Sequence, residues 1–374
     1  MAVKIFLNMI VKNESRIIER CLNAAQWVDG VVISDTGSTD NTVELIETWL
    51  KTNDKMGAVV HNEWKNFGHN RTVAMEEGRK WCKEVGGLDL SEVYFVMIDA
   101  DMVFPAITLR DQIHEADMWD VRQQNAAIVY NNLRVVRASL DVVCKCPTHE
   151  YYDILTKNAT RKTYTDVIIE DIGDGGAKSD KIERDIRMLK EGLVEEPDNC
   201  RYWFYLANTY RDAGDLTNAI IAYNRRIEIG AWFEENYCAH LYKGDCHKML
   251  GQDKEAVAVW LDAYQLDPMR GEALWRLAVH YRVKAKHQIA MLFVEKGMKM
   301  ELPTERVLFI EKQVYDYQFL YEMCICGYYA NDKTRGRLAC KMLLDKTTIP
   351  PGIRESVTRN MEFYNEFKGT TEEK

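Results

Sequence analysis

The run Tyr94-Phe95-Val96-Met97-Ile98, leading into Asp99-Ala100-Asp101, limits what this chain can fold into more than any other stretch. Five consecutive apolar or aromatic residues without alternation mark a strand covered on both faces, as in a parallel sheet flanked by helices. Such strands present ligand-binding groups at their carboxyl ends. Asp99 and Asp101 stand one residue apart there, so in extended backbone their carboxylates leave the same face. Two hard oxygen donors side by side suit Mg2+ or Mn2+, an ion fitted to neutralise a leaving diphosphate. An Asp-x-Asp after a strand serves equally as a turn or cap whose acids accept backbone N–H groups.

The preceding segments follow the same logic. Residues 4–11 predict a first strand and residues 16–25 a helix with an apolar face of Ile17, Ile18, Cys21, Leu22 and Ala25. Residues 28–34 predict a turn and second buried strand, 42–50 another helix and 59–62 a third strand. This order implies right-handed parallel crossovers. Asp40 is placed to cap the second helix. After the acidic pair, residues 126–130 and 133–138 predict strands around a turn at Asn131-Asn132.

With 374 residues, 47% hydrophobic and 29% charged, the chain has room for two or three domains and is not disordered. A net charge of −9 argues against a nucleic-acid or anionic-membrane partner. No apolar run approaches the roughly 20 residues of a membrane helix, and the N-terminus reads as a strand, not a signal peptide. The ten cysteines are scattered without metal-site spacing, as expected of reduced thiols in a cytoplasmic protein.

From Lys181 onward a helical period takes over. Trp203, Leu206, Ala207 and Tyr210, then Gly214, Ala219 and Tyr223, resemble the tetratricopeptide repeat. The pattern recurs through Gly251, Ala256 and Trp260 and again through Trp275, Ala278 and Ala290, with Leu189, Gly192 and Pro197 as an earlier partial unit. A long spacing between the first two units predicts an insertion at residues 230–232. Residues 307–321 and 335–344 predict further helices.

Val11-Lys12-Asn13-Glu14, Asp35-Thr36-Gly37-Ser38-Thr39-Asp40 and Asp99-Ala100-Asp101, in that order, resemble the motifs of family 2 glycosyltransferases, which bind a nucleotide-sugar on a GT-A fold. The fused arrangement is similar to sublancin-type peptide glycosyltransferases and to relatives in large DNA viruses. The resemblance implies an α/β GT-A domain, a Rossmann-like mixed sheet, over residues 1–180. An all-α tetratricopeptide-like domain over 181–300 and a helical cap over 301–374 follow. It implies that Asn13, Glu14 and Asp35 contact the nucleoside of a UDP- or GDP-sugar, Asp99 the ribose and metal, and Asp101 the metal, Mn2+ or Mg2+. Relatives carry a histidine two residues before the position of Gly173; here Asp171 would complete the metal site. Arg71 would clamp the diphosphate, or else pair with Glu76 or Glu77 along its helix. Glu150, with Asp153 in reserve, would be the base that activates a peptide, protein or glycan acceptor in an inverting transfer; otherwise it pairs with Arg134 or Arg137. Gly173, Gly175 and Gly176 suggest a loop over the diphosphate. The helical half would select the acceptor or join two copies as a homodimer. The alternative is a non-catalytic repeat scaffold with a degenerate nucleotide-binding domain.

Overall fold

A computed structural model describes residues 3–125, 128–175 and 181–366. Residues 126–127 of an expected strand and Gly176 of the expected glycine loop lie outside them. The chain divides into two compact units, Met1–Glu195 and Glu196–Lys374.

The first unit runs β1 (Lys4–Val11), α1 (Ile18–Ala24), β2 (Gly30–Asp35), α2 (Thr42–Thr52), β3 (Met56–His61), α3 (Phe67–Glu84), β4 (Val93–Val96) and β5 (Met102–Val103). It continues with α4 (Leu109–Gln112), β6 (Met118–Asn125), β7 (Ile128–Arg137), β8 (Val142–Lys145), β9 (Tyr151–Ile154), β10 (Arg161–Asp171) and α5 (Lys181–Glu195). Eight strands form one mixed, GT-A-like sheet in the order β3-β2-β1-β4-β7-β6-β10-β5, while β8 and β9 pair separately. Strands β3, β2, β1 and β4 are parallel, and β7 runs antiparallel to both β4 and β6.

Strand alternation sorts the core into two layers. Ile5, Leu7 and Met9 of β1 pack with Ile18, Leu22, Ile46 and Trp49 of α1 and α2, while Phe6 and Phe95 pack with Met75 and Cys82 of α3 on the opposite face. Buried Asn8 ties these layers together: its Nδ2 donates to the carbonyls of Val32 and Ala74 at 3.0 and 2.8 Å. Gly68 brings α3 against the β8–β9 side, where an added Cβ would stand 2.4 Å from the Cys146 carbonyl. Substitution there would therefore displace the helix that carries Arg71.

Two local expectations differ. Asn131 and Asn132 lie inside β7, opposite Arg122 and Val121, so no turn forms there; the ladder to β6 overrides their turn preference. Helix α5, which reads from sequence as part of a repeat, belongs to the first unit.

The second unit is all-α: α6 (Cys200–Asp212), α7 (Leu216–Ile229), α8 (Phe233–Met249), α9 (Asp253–Leu266), α10 (Glu272–Val283), α11 (His287–Gly297), α12 (Phe319–Tyr329), α13 (Lys333–Asp345) and α14 (Pro351–Glu366). Consecutive helices pack on one another, and Trp203, Ala207, Ala219, Tyr223, Ala256 and Trp260 lie in or against their core. The repeat reading therefore holds. The long spacing arises in α8, which has 17 residues against 13 in α6, and not in the turn at 230–232. The expected helix over 307–321 starts late: residues 301–310 are irregular, and a π-helical turn, Val314–Gln318, leads into α12.

The turn inside each of the first three pairs passes through the left-handed region, at Gly214 (φ 80°), Gly251 (φ 74°) and Ala285 (φ 55°). An L-residue there is strained by about 1–2 kcal/mol, more than the roughly 0.5–1 kcal/mol of added unfolded-state entropy that glycine brings. Ala285→Gly should therefore raise unfolding free energy by up to about 1 kcal/mol at constant urea m-value; a fall in the urea midpoint would contradict this account of the turn.

Candidate active site

A cavity of about 550 Å³ opens at the carboxyl ends of β1 and β4. Lys12 and Glu14 follow β1 into it, and Thr36 reaches it just beyond β2. Asp99, Ala100 and Asp101 form its floor beyond β4. Trp64 comes from just before α3, Phe67 and Arg71 from its first turns, Gly175 from beyond β10, and Lys181 and Arg184 from the first turn of α5. The parallel half of the sheet delivers these groups to one edge, as this topology requires.

Arg71 is the hub. It is almost wholly buried, and it donates from Nε to Glu150 Oε1 at 2.7 Å and from Nη2 to Asp99 Oδ1 at 2.6 Å. Burial disfavours its charge, yet the two carboxylates more than restore it, and its pKa rises well above the usual arginine value. Burial likewise works against ionised Asp99, but Arg71 and Arg134 outweigh it and hold that carboxyl below its ordinary range. The expected pairing of Arg71 with Glu76 or Glu77 gives way to this tertiary pairing, and Glu150 pairs with Arg71 instead of Arg134 or Arg137.

Arg134 lies beneath, donating to the Met97 carbonyl at 3.1 Å and to Gln123 Oε1 at 2.7 Å. Gln123 passes the connection on, its Nε2 reaching Asp171 Oδ2 at 2.9 Å. Asp171 thus ends a side-chain relay across β7, β6 and β10 and is not among the cavity-lining residues. No group of three His, Cys, Asp or Glu residues placed to hold a metal ion occurs among the described residues. A pair does converge: Asp101 Oδ2 and Glu14 Oε1 lie 3.3 and 3.5 Å from where a Cβ on Gly175 would stand.

Three sequence candidates are engaged in building loops. Asp35, buried at the end of β2, accepts the amides of Gly37 and Ser38 and faces His61 Nδ1 at 3.2 Å. Asn13, with φ 57°, accepts the Thr39 amide at 2.7 Å and clasps the two loops together. Asp40 accepts from Thr42 and Ser15; these bonds overcome its desolvation and lower its pKa to about 2. Asp153 pairs with Lys145 Nζ at 2.6 Å, and neither Asp153 nor Glu150 is among the cavity-lining residues; Glu150 reaches the site through Arg71.

Residues 7–172 match the family model described as Glycosyl transferase family 2. The first unit is a family 2 glycosyltransferase domain. Among solved structures, S. aureus TarS is similar at 15% identity over 68% of this chain and 54% of that one, with a TM-score of 0.40. A tetratricopeptide repeat protein from Parabacteroides merdae ATCC 43184 matches at 15% identity over 50% of this chain and 69% of its own, TM-score 0.39. YrrB, described as a TPR protein with an unusual peptide-binding site, matches at 12% identity over 50% and 87%, TM-score 0.39. No described helix is long and apolar enough to cross a membrane.

Sequence reasoning about this glycosyltransferase domain passed over Trp64, Lys181 and Arg184. Trp64 meets Phe67 edge-on at 4.9 Å, and Arg184 stands 5.3 Å over the Phe67 ring. Trp64 is held by buried Asn70, which accepts the Lys65 amide and donates to the Glu63 carbonyl. Lys181 and Arg184 follow the last cavity glycine closely, but their helical pattern assigned them to the repeats.

Removing Arg71 strands two carboxylates. Arg71→Met should lower unfolding free energy by about 3 kcal/mol, near the lower end for breaking a buried pair because both acids are partly exposed. The depressed Asp99 pKa contributes stability that is present above an unfolded pKa of about 4 and is lost as pH falls through the folded value. Denaturation between pH 3 and 5, taken here as roughly the carboxylate range, should show a shallower acid loss in Arg71→Met; an unchanged slope would separate Asp99 from Arg71.

Proposed function

We propose that the first unit moves a sugar from a nucleotide-sugar, of the UDP or GDP class, to a hydroxyl or thiol on a peptide, protein or glycan, with inversion at the sugar carbon. The observation that carries this reading is the charge pattern of the cavity. Glu14, Asp99 and Asp101 share it with Lys12, Lys181 and Arg184. A nucleoside diphosphate sugar presents hydroxyl donors, which carboxylates accept, next to an anionic diphosphate, which basic side chains match. Trp64 and Phe67 offer ring surface to the base or sugar.

A divalent cation fits the space that Gly175 leaves open. Asp101 and Glu14 would hold Mg2+ or Mn2+ there, with oxygen ligands of the kind both ions prefer. When bound, the ion supplies positive charge for the departing diphosphate. Asp171, tied to Gln123, stands outside that pair.

Glu150 is the group proposed to take the proton from the acceptor. Arg71 fixes it relative to Asp99 through two nitrogens of one planar guanidinium, so donor-side and acceptor-side acids keep a constant spacing. Asp153, paired with Lys145, is the reserve for that role.

A panel of UDP- and GDP-sugars with Mn2+ should contain one donor that raises Tm by mass action and releases nucleoside diphosphate. Glu150→Gln should keep donor affinity while lowering turnover by about 10²–10⁴-fold, and Asp101→Asn should lose the Mn2+-dependent hydrolysis. Transfer at the wild-type rate in Glu150→Gln would exclude that residue as base; absence of any stabilising donor would overturn the reading as a whole.

A further inference from the structure

Between α11 and α12 the chain lays a non-helical run along the first helices of successive pairs. Glu234 in α8 accepts the backbone N–H groups of Val307 and Leu308 at 2.9 Å each. Arg270, in the turn before α10, donates to the carbonyls of Leu308 and Phe309 at 2.9 and 3.1 Å. Glu272 accepts the Glu311 amide at 3.2 Å. Side chains add Arg306 to Asp267 and Glu311 to Arg276, both at 2.8 Å. The Phe309 ring stacks over Phe204 of α6 at 6.4 Å.

Most of these contacts read main chain, and among the run's apolar side chains Leu308 packs against the helical core while its neighbours stay more exposed. Val307 is 76% and Phe309 46% exposed, whereas Arg270 and Glu272 beneath them are fully buried. Phe309 takes a left-handed φ of 49°, a conformation that a bulky side chain holds only when its surroundings impose it. The π-helical turn at Val314–Gln318 is a form that recurs where helices do functional work. A segment attached mainly through polar main-chain contacts, with Val307 and Phe309 still exposed, belongs to the low-stability end of a structure.

We propose that residues 306–311 are an internal peptide ligand of a groove built by α6, α8 and the α9–α10 turn, and that an extended polypeptide displaces them. The partner's chemistry is that of the strap: a basic residue three positions before an aromatic one, with an acid two positions after it. Asp267, Phe204 and Arg276 receive these side chains, while Glu234, Arg270 and Glu272 take the backbone. Because the strap is tethered, its effective concentration is in the millimolar range, so the groove is closed by default and opened by competition.

Hydrogen exchange on the full chain tests the opening. The Val307, Leu308 and Glu311 amides should exchange at least about 100-fold faster than buried α8 amides; equal rates would overturn the proposal, since the strap would then leave only with the whole unit. A fluorescein-labelled peptide of residues 304–313 tests the groove. Anisotropy should show about tenfold or tighter binding to R306A/F309A than to the native chain, and no gain with a scrambled peptide. A folded variant that binds no better than the native chain would also overturn it, and Arg306→Ala alone decides if the double variant fails to fold.

Discussion

One guanidinium governs the carboxyl edge of the sheet. Arg71 sits where water is largely excluded, and a cation there is stable only because two carboxylates accept from it. Ion clusters of this kind add little net stability, since desolvation cancels much of the Coulomb gain. What they provide is position. Nε and Nη2 belong to one rigid plane, so Asp99 after β4 and Glu150 before β9 are fixed relative to each other although far apart in sequence. The close approach of α3 at Gly68 and the Asn8 contact to the Ala74 carbonyl hold the helix that carries this plane.

The loops around it obey a different constraint. Backbone N–H groups at the strand ends have no ladder partner and must find acceptors. Asp35, Asp40 and Asn13 provide them, and the result is a firm wall from which Glu14 and Thr36 reach the cavity. A residue type suited to bind hydroxyls is equally suited to bind amides, and location decides which it does. Asp101 and Glu14 line the cavity, whereas Asp35 faces its own loop.

That ambiguity explains how far the sequence could be read. Continuous apolar runs exposed β1, β2 and β4, because burial on both faces leaves a composition signature. The acidic pair and the cavity edge followed from strand ends. The partners of Arg71 did not: Glu76 and Glu77 are visible as helix neighbours, while Asp99 and Glu150 become neighbours only through the fold. Asn131 and Asn132 looked like a turn because local preference is all that a sequence shows, and the β6 ladder overruled it. The extra turn of α8 was detected as a spacing but placed in the turn before the helix and not in the helix itself. The late start of α12 was hidden because Val307, Leu308 and Ile310 fit a helical pattern, though their backbone is taken up by Glu234 and Arg270.

The second unit shows why such charges belong inside a repeat. Helices with similar apolar faces can in principle stack in more than one order, and apolar contact discriminates weakly between them. At different junctions this array carries a different ion pair: Arg226 with Glu235 between α7 and α8 and Arg270 with Glu272 before α10, both buried, and the buried Glu322 of α12 with the partly exposed Arg282 of α10. Misplacing a helix would bury one of these charges unpaired, at a cost of several kcal/mol by the usual magnitude of about 3–5 kcal/mol. The correct order gains little from each pair, but every wrong order loses much. The same asymmetry extends to residues 306–311, whose backbone satisfies Glu234, Arg270 and Glu272: anything that replaces this segment has to supply amides and carbonyls in its place, which restricts the groove to peptide.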